Sequence, residues 1–237
     1  MSALNLAAYA VIPARGGSSG VKKKNIRELC GRPLISYIIA AAKKAELIDK
    51  VFVSTEDKDI SQVAEKWGAE VISHDPALSG DESPSFFVIQ NATKILATRG
   101  DSPDIVVTLR ATSPLCPASA IDEAVRVVTM NSNASSALSV VRAQVHPDKV
   151  LQIGKTGYLE YYNSNTSERQ YPKRRQEFGE VYVRNAAIYA TRTEVIEQGS
   201  IWGNSPVPVI MSKENSVNIN EEIDFVLAEA LLRKNPD

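Results

Sequence analysis

Residues 12–25 read IPARGGSSGVKKKN, a basic, glycine-rich stretch that overlaps the end of the apolar run AYAVIPA at residues 8–14. A short apolar run of this kind predicts a buried strand. In open parallel sheets ligands bind at the carboxyl ends of the strands, which is where this loop would lie. Glycines let backbone N–H groups approach an oxyanion closely, while Arg15 and Lys24 add positive charge. The stretch therefore predicts an anion-binding loop. It matches neither the Walker pattern nor G-x-G-x-x-G, and a solvated surface turn is the alternative.

Strand-like and helix-like segments alternate along most of the chain. Apolar runs predict strands, and apolar residues at helical spacing predict helices. The predicted strands are residues 8–14, 50–55, 69–73, 104–109, 135–141, 185–191 and 207–211. The predicted helices are residues 32–47, 57–68, 83–100, 118–131 and 221–234. This alternation indicates βαβ units, right-handed crossovers and an α/β fold with a mainly parallel sheet flanked by helices.

The alternation stops between residues 142 and 184. This stretch holds TGYLEYYN followed by SNTSERQYPKRRQEFGE and has little helical period. A long irregular segment inside a compact domain is usually functional or part of an interface. We predict a single domain over residues 1–237, with a protruding excursion at about 142–184.

The composition fits a globular protein that binds neither nucleic acid nor a membrane. The chain of 237 residues is 43% apolar and 23% charged, and its formal net charge is −1, so no global field attracts either partner. No basic n-region precedes the first motif and no apolar run reaches membrane-spanning length, so we expect no signal peptide. Cys30 and Cys116 are the only cysteines and are widely spaced, which favours the reducing cytoplasm.

A series of segments along the chain resembles one enzyme family. The segments are IPARGGSSGVKKKN followed by LCGRPLISYII, then VFVSTED (51–57), LSGDESPS (78–85), LRATSPL (109–115), RRQE (174–177), RNAAIY (184–189) and SVNINEEIDFVLAE (216–229). They resemble CMP-sialic acid synthetases, the acylneuraminate cytidylyltransferase family that acts on nonulosonic acids. The resemblance implies a Rossmann-like nucleotide-diphospho-sugar transferase fold and transfer of CMP from CTP to the anomeric hydroxyl of a 2-keto sugar acid, with release of pyrophosphate. It also implies Mg²⁺ (or Mn²⁺) as cofactor and a homodimer whose excursion makes the dimer contact and completes the active site.

The resemblance assigns nucleotide binding to the first loop and to the segment DESPS. The matching residues are Ala14, Arg15, Gly16, Ser18, Lys24, Asn25 and Ser85. Arg15 and Lys24 are expected to hold the phosphates and to carry catalysis. This chain has Ser19 where the family usually has lysine, and Asp75 where the family has an arginine before the segment that reads cytosine.

The resemblance places the sugar acid beside a second group of residues. These are Arg110, Thr112, Ser113, Arg175, Asn185 and Tyr189. Arg110 stands where the family has glutamine, which suggests a different nonulosonic acid, and Ala186 replaces a motif glycine. Residues 112–114 could instead form an ordinary strand-ending turn, and Tyr189 could be a core tyrosine.

The segment SVNIN (216–220) departs furthest from the family pattern. The family usually has two aspartates near the catalytic Mg²⁺, where this chain has Asn218 and Asn220. Amide oxygens can bind Mg²⁺, but more weakly than carboxylates, and Asp224 is the nearest carboxylate that could take over the contact. Asn220 could equally be the N-cap of the helix that follows.

Two other functions stay open from the sequence. One is a cytidylyltransferase for 3-deoxy-manno-octulosonate or an 8-amino analogue. The other is a nucleotide-binding relative without catalysis, which the replacement of two aspartates would fit. No residue stands out as a general base, and His74 and His146 fall in predicted loops and are interpreted as incidental.

Overall fold

A central seven-stranded sheet organises the molecule. The computed structural model describes residues 6–17, 21, 23–80, 84–163, 165, 174 and 177–234. In chain order the described strands are β1 (Ala8–Pro13), β2 (Glu28–Leu29), β3 (Arg32–Pro33), β4 (Lys50–Thr55), β5 (Glu70–Ser73), β6 (Ile105–Leu109), β7 (Ser136–Arg142), β8 (Leu151–Ile153), β9 (Leu159–Tyr161), β10 (Tyr182–Arg192) and β11 (Pro206–Ile210). The large sheet has the order β11-β7-β10-β6-β1-β4-β5, and its neighbouring strands are parallel except where β10 pairs.

Helices cover both faces of this sheet. They are α1 (Leu34–Lys44), α2 (Lys58–Lys66), α3 (Ser85–Thr98), α4 (Ala118–Met130), α5 (Thr193–Glu197) and α6 (Glu222–Lys234). Alternate side chains of β1 point to opposite faces, as in any strand. Ala8, Ala10 and Ile12 pack with α1, α2 and α4, whereas Tyr9 and Val11 pack with α3 and α5. Among the described residues, no helix combines the length and apolar character needed to span a bilayer.

The strand order reverses beside β1. The chain passes from β1 outward through β4 to β5, and then returns to place β6 on the other side of β1. A reversal of this kind opens a crevice at the carboxyl ends of the two strands that flank it. The loop that begins at Ala14 and the turn that begins at Arg110 both leave the sheet at this crevice.

The predicted architecture, an α/β fold with a mainly parallel sheet, is confirmed. Each predicted strand and helix is present, with ends shifted by a few residues. Strand β10 begins at Tyr182 rather than residue 185, because residues 182–184 pair with β7 beyond the core. The excursion was expected to be irregular, but β8 and β9 form a hairpin inside it. Three-residue strands are too short to show a period in the sequence.

The hairpin exposes a cluster of apolar side chains. Ile153 and Leu159 are direct cross-strand partners, so they share a face. They are 77% and 69% exposed, and Leu151, which lies two residues from Ile153 on the same face, is 47% exposed. Scattered exposed apolar residues are normal, whereas a contiguous patch indicates an interaction surface.

A small apolar cluster attaches α6 to the first loop. Val21 from that loop packs with Ile219, which precedes α6, and with Phe225 inside it. The Arg27 guanidinium lies 4.3 Å from the centre of the Phe225 ring. These contacts bring the amino end of α6 to the same crevice.

Strand β10 contains a bulge beside the crevice. The register shifts between the pairs Arg184–Val140 and Tyr189–Leu138, so β10 carries extra residues there. Within the bulge Ala186 has a φ of 59°, in the left-handed region that residues with a Cβ rarely adopt. The Cβ of alanine makes this conformation strained, whereas glycine, which the related motif has at this position, adopts it without strain.

Replacing Ala186 with glycine should therefore stabilise the protein. The left-handed conformation costs an alanine about 1 kcal/mol or more, and glycine avoids this cost. Part of the resulting stabilisation is lost, because glycine makes the unfolded chain more flexible. We expect Ala186→Gly to raise the free energy of unfolding by about 0.5 kcal/mol in urea titrations. Ala187→Gly is the control, because Ala187 is buried and has no positive φ, and it should destabilise. A loss of stability in Ala186→Gly would contradict the strain.

Candidate active site

A cleft of about 350 Å³ occupies the crevice between the ends of β1 and β6. It brings together many of the residues that the sequence analysis singled out, which are Ala14, Arg15, Lys24, Asn25, Ser85, Arg110, Thr112 and Asn220. The remaining lining includes His74 and Ser79, which the sequence analysis did not assign to the site. Ser18 and Arg175 lie outside the described residues.

Two cations from the first loop face the cleft. Nη1 of Arg15 donates to the carbonyl oxygen of Ser79 at 3.3 Å, and Nζ of Lys24 donates to the carbonyl oxygen of Ile219 at 3.1 Å. Partial burial lowers the pKa of Lys24, the nearby charge of Arg15 lowers it further, and Asp224 acts in the opposite direction. An anion bound between Arg15 and Lys24 would offset this repulsion. The geometry therefore supports the predicted anion-binding loop.

Asn25 shapes the loop from within. It is buried, and its Nδ2 donates to the carbonyl oxygen of Arg15 at 2.9 Å. It lies in a 3-10 turn, Lys24–Ile26, which follows Lys23 in the left-handed conformation. This amide bond fixes the backbone that carries Arg15, and the same turn directs Lys24 into the cleft.

The two described glycines of the loop have different roles. A Cβ on Gly16 would lie 2.4 Å from Oδ2 of Asp57, so this position has no room for a side chain. The N–H of Gly16 donates to Oε1 of Glu56 at 2.8 Å, and Gly16 is not among the residues that line the cleft. Gly17 does line the cleft, and a Cβ there would meet nothing within 4 Å.

A hydrogen-bonded network that the sequence analysis missed lies behind one wall. Ser79 Oγ donates to Oε2 of Glu56 at 2.7 Å and lies 2.7 Å from Nε2 of His74. Nδ1 of His74 is 2.8 Å from Ser54 Oγ. Because the Ser79 proton goes to Glu56, Nε2 of His74 donates to Ser79, and Nδ1 accepts from Ser54. The one signal of this network in the sequence is that Glu56 and His74 directly follow predicted strands, whose carboxyl ends commonly carry binding residues.

Burial and hydrogen bonding shift the pKa values of both titratable members. Burial alone would raise the pKa of Glu56, but bonds from the Gly16 amide, from Ser79 and from its own amide, with the nearby His74, hold that pKa below its usual range. Burial lowers the pKa of His74, although Glu56 and Asp75 partly offset this. At neutral pH the network therefore contains a carboxylate and an uncharged imidazole.

Arg110 connects the two sides of the cleft. Its Nη2 donates to Ser85 Oγ at 3.0 Å, and its backbone N–H donates to the carbonyl oxygen of Ala187 at 3.2 Å. Thr112 lines the cleft, and its carbonyl oxygen accepts from the N–H of Ile219 at 2.8 Å. The segment is thus a strand-ending turn that also contributes to the cleft wall.

Three other residues assigned to sugar binding are buried rather than lining the cleft. Ser113 is 1% exposed and lies in the turn after β6. Asn185 binds Ser139 at 2.5 Å and Ser216 at 2.9 Å, so its amide bridges β7 and the segment before α6. Tyr189 is 6% exposed and pairs within the sheet with Thr108 and Leu138. Their roles toward a sugar stay predictions.

The three candidate metal ligands lie around the start of α6, with Asn218 and Asn220 before the helix and Asp224 in its first turn. Oδ1 of Asn218 is buried and has no hydrogen-bond partner within the described part of the chain. Asn220 lines the cleft, but helix α6 begins only at Glu222. The carboxylate of Asp224 accepts from the N–H groups of Asn220 and Glu221 at 2.8 and 2.9 Å, so Asp224 satisfies the start of the helix.

This arrangement fits a magnesium ion held mainly by a ligand. An unpartnered amide oxygen and a second amide at the cleft are hard oxygen donors of the kind Mg²⁺ accepts. Within the described ranges, no three His, Cys, Asp or Glu residues cluster closely enough to hold a metal ion themselves. Any ion here would need further oxygen atoms, such as those of a phosphate chain.

Comparison with solved structures defines the class of fold. CMP:2-keto-3-deoxy-manno-octonic acid synthetase complexed with CTP superposes with a TM-score of 0.71 at 17% identity, over 96% of this chain and 99% of that chain. The 4-diphosphocytidyl-2C-methyl-D-erythritol synthase of Anaerococcus prevotii gives a TM-score of 0.66 at 14% identity, over 97% and 99% of the two chains. At these identities the likeness shows the fold alone, which is the predicted Rossmann-like nucleotidyltransferase fold.

Sequence comparison gives the family. The model of the cytidylyltransferase family matches residues 9–232, and the chain belongs to that family. N-acylneuraminate cytidylyltransferase A of Danio rerio is 34% identical over 220 residues, covering 93% of this chain and 49% of that protein. Pseudaminic acid cytidylyltransferase of Campylobacter jejuni is 31% identical over 229 residues, covering 95% and 96% of the two chains. This chain thus spans about half the length of the first relative and nearly all of the second, and the resemblance found in the motifs is confirmed.

The buried His74 should make stability depend on pH near neutrality. Because its folded pKa is lowered, the unfolded chain binds the proton more readily. The contribution of His74 is therefore complete above about pH 6.5 and is lost as the pH falls through its lower folded value. We expect the free energy of unfolding in urea to fall between pH 7.5 and 5.5, and to fall less steeply in His74→Gln. His146→Gln is the matched control, and equal slopes in wild type and His74→Gln would contradict the assignment.

Proposed function

We propose that this protein transfers CMP from CTP to the anomeric hydroxyl of a nonulosonic acid and releases pyrophosphate. The observation that carries the proposal is the meeting of Arg15 and Lys24 at one cleft on the switch point of the sheet. Membership of the cytidylyltransferase family supports it, as do the names of the relatives, which act on N-acylneuraminate and on pseudaminic acid.

The described residues can supply binding, orientation and charge. The sugar hydroxyl attacks the α-phosphorus of CTP and loses its proton to solvent. A new P–O bond forms, the bond from the α-phosphorus to the bridging oxygen breaks, and pyrophosphate leaves in line with the bonding electrons. Arg15 and Lys24 would hold the phosphates and neutralise the charge that develops on the leaving group. Arg110, which donates to Ser85 at the cleft, would pair with the sugar carboxylate, and Arg175 is a second candidate for this role. Bound Mg²⁺ or Mn²⁺ would add charge neutralisation at the phosphates.

Pyrophosphate release from CTP tests this activity directly. With Mg²⁺ and a panel of nonulosonic acids, the wild type should release pyrophosphate with CTP and far less with UTP or GTP. Release only with 3-deoxy-manno-octulosonate or its 8-amino analogue would select that alternative, and CTP binding without release would indicate a non-catalytic relative.

Adjacent lysines provide a matched pair of variants for the phosphate role. Lys24→Ala should lower kcat/KM for CTP by about 10- to 100-fold, the effect of losing one charged hydrogen bond. Lys23→Ala is the control, because Lys23 points to the surface and pairs with Asp59 at 2.7 Å. Similar kinetics in both variants would exclude Lys24 from phosphate binding.

We propose that Asn218 and Asn220 contribute only weakly to metal binding, so that Mg²⁺ enters chiefly with the nucleotide. The double variant Asn218→Asp with Asn220→Asp should lower the half-saturating Mg²⁺ concentration by about tenfold or more, since added carboxylates attract a divalent ion strongly at contact distance. Asn215→Asp in the same segment is the control. An unchanged Mg²⁺ requirement in the double variant would leave both asparagines without a metal role.

We propose a homodimer in which the excursion contacts the partner and lends Arg174 or Arg175 to its active site. The exposed apolar face of Ile153 and Leu159 supports a contact, and two-fold dimers are the commonest homo-oligomers. Ile153→Asp with Leu159→Asp should give a monomer by light scattering and abolish most activity. Met130→Asp, at an 80% exposed site on α4, should leave the dimer intact. A fully active monomer would contradict the shared site.

We also propose a cytoplasmic location. Both cysteines are free thiols, Cys30 exposed and Cys116 buried, as a reducing compartment would leave them. Fractionation of the producing cells would test this location.

A further inference from the structure

The carboxylate of Glu56 joins two segments that both contribute to the cleft wall. Glu56 directly follows β4, and its side chain is 16% exposed. Oε1 accepts the N–H of Gly16 at 2.8 Å, and Oε2 accepts the hydroxyl of Ser79 at 2.7 Å. One oxygen therefore holds the loop after β1, and the other holds the 3-10 turn Pro76–Ser79.

Ser79 passes this connection on to Arg15. Its hydroxyl binds Glu56, while its carbonyl oxygen accepts from the Arg15 guanidinium at 3.3 Å. Nε2 of His74 also lies 2.7 Å from this hydroxyl and 3.2 Å from Oε2 of Glu56, so the three side chains form one compact group. The direction of Arg15 thus depends on a turn that Glu56 keeps in place.

Glu56 is not among the residues that line the cleft, whereas Arg15, Ser79 and His74 are. A carboxylate inside the cleft would repel a triphosphate directly, whereas Glu56 lies behind the wall and contacts the lining residues Ser79 and His74 instead. We infer that Glu56 is a positioning residue for the nucleotide, a two-armed clamp that sets the distance between the phosphate loop and the turn Pro76–Ser79. The inference rests on the proposed function, because it assumes that Arg15 meets the phosphates of CTP.

The clamp needs two polar atoms rather than a negative charge. Glutamine at position 56 keeps an acceptor for the Gly16 amide and places its NH₂ group against Ser79 Oγ. The Ser79 hydroxyl can then donate to Nε2 of His74, whose other tautomer donates from Nδ1 to Ser54. Alanine removes both arms and leaves the Gly16 amide and the Ser79 hydroxyl without this partner.

The test compares CTP affinity in Glu56→Ala, Glu56→Gln and Glu70→Ala by calorimetry without sugar. Glu56→Ala should weaken CTP binding about tenfold or more, and Glu56→Gln should stay within about threefold of wild type. Glu70→Ala, an exposed position on β5, should match the wild type. The KM for the sugar acid should be unchanged in every variant that retains turnover. A general loss of folding would instead lower the fraction of active protein and leave both the CTP affinity and the KM of that active fraction unchanged.

The outcomes separate this inference from the proposed function. Wild-type CTP affinity in Glu56→Ala, or equal losses in the alanine and glutamine variants, would overturn the clamp while leaving the proposed function intact. If the wild type itself binds no CTP, both fail. Should Glu56→Ala not fold, Ser79→Ala decides, because it cuts one arm and keeps the carbonyl that holds Arg15. It should weaken CTP binding measurably with the KM of the sugar acid unchanged, and an unaltered CTP affinity would overturn the clamp.

Discussion

Arg15 and Lys24 place two like charges in one partly buried cleft, and the surrounding structure has to hold them there against their repulsion. Among their contacts, Arg15 donates to the carbonyl oxygen of Ser79 and Lys24 donates to the carbonyl oxygen of Ile219. These hydrogen bonds fix the direction of the two side chains at the cleft. The loop, the turn Pro76–Ser79 and the segment before α6 are each needed because each supplies or supports one of these contacts.

The fold could be predicted from the sequence because its signals are local. Apolar runs predicted β1, β4 and β6, and the loop after β1 was expected at the carboxyl edge of the sheet. The basic residues Arg15 and Lys24 of that loop indicated an anion site, whereas Arg110 came only from the family resemblance. The network of Glu56, His74 and Ser79 could not be predicted in this way, because it joins side chains from separate segments. Each of these residues by itself looks like an ordinary polar loop residue.

Several residues of the family motifs do not line the cleft in this chain. Asn185 and Tyr189 belong to a motif, yet Asn185 ties β7 to the segment before α6 and Tyr189 packs inside the sheet. A motif can therefore mark a residue that shapes the wall instead of one that lines it. Asn218 is a further motif residue outside the cleft lining, and nothing in the sequence indicated that its Oδ1 is buried without a partner within the described structure.

Strand β10 has a mechanical consequence. Its first residues pair with β7 at the base of the excursion, and farther along the carbonyl of Ala187 binds the backbone of Arg110. An extended strand rises about 3.3 Å per residue, so this path covers at most about 17 Å from Tyr182 to Ala187. If this part of β10 were an unbroken strand, a tilt of the excursion would shift the backbone carbonyl that binds Arg110 at the cleft. The bulge at Ala186 interrupts the ladder at that point and bends the strand, so the part of β10 that binds Arg110 is not in line with the part at the base of the excursion.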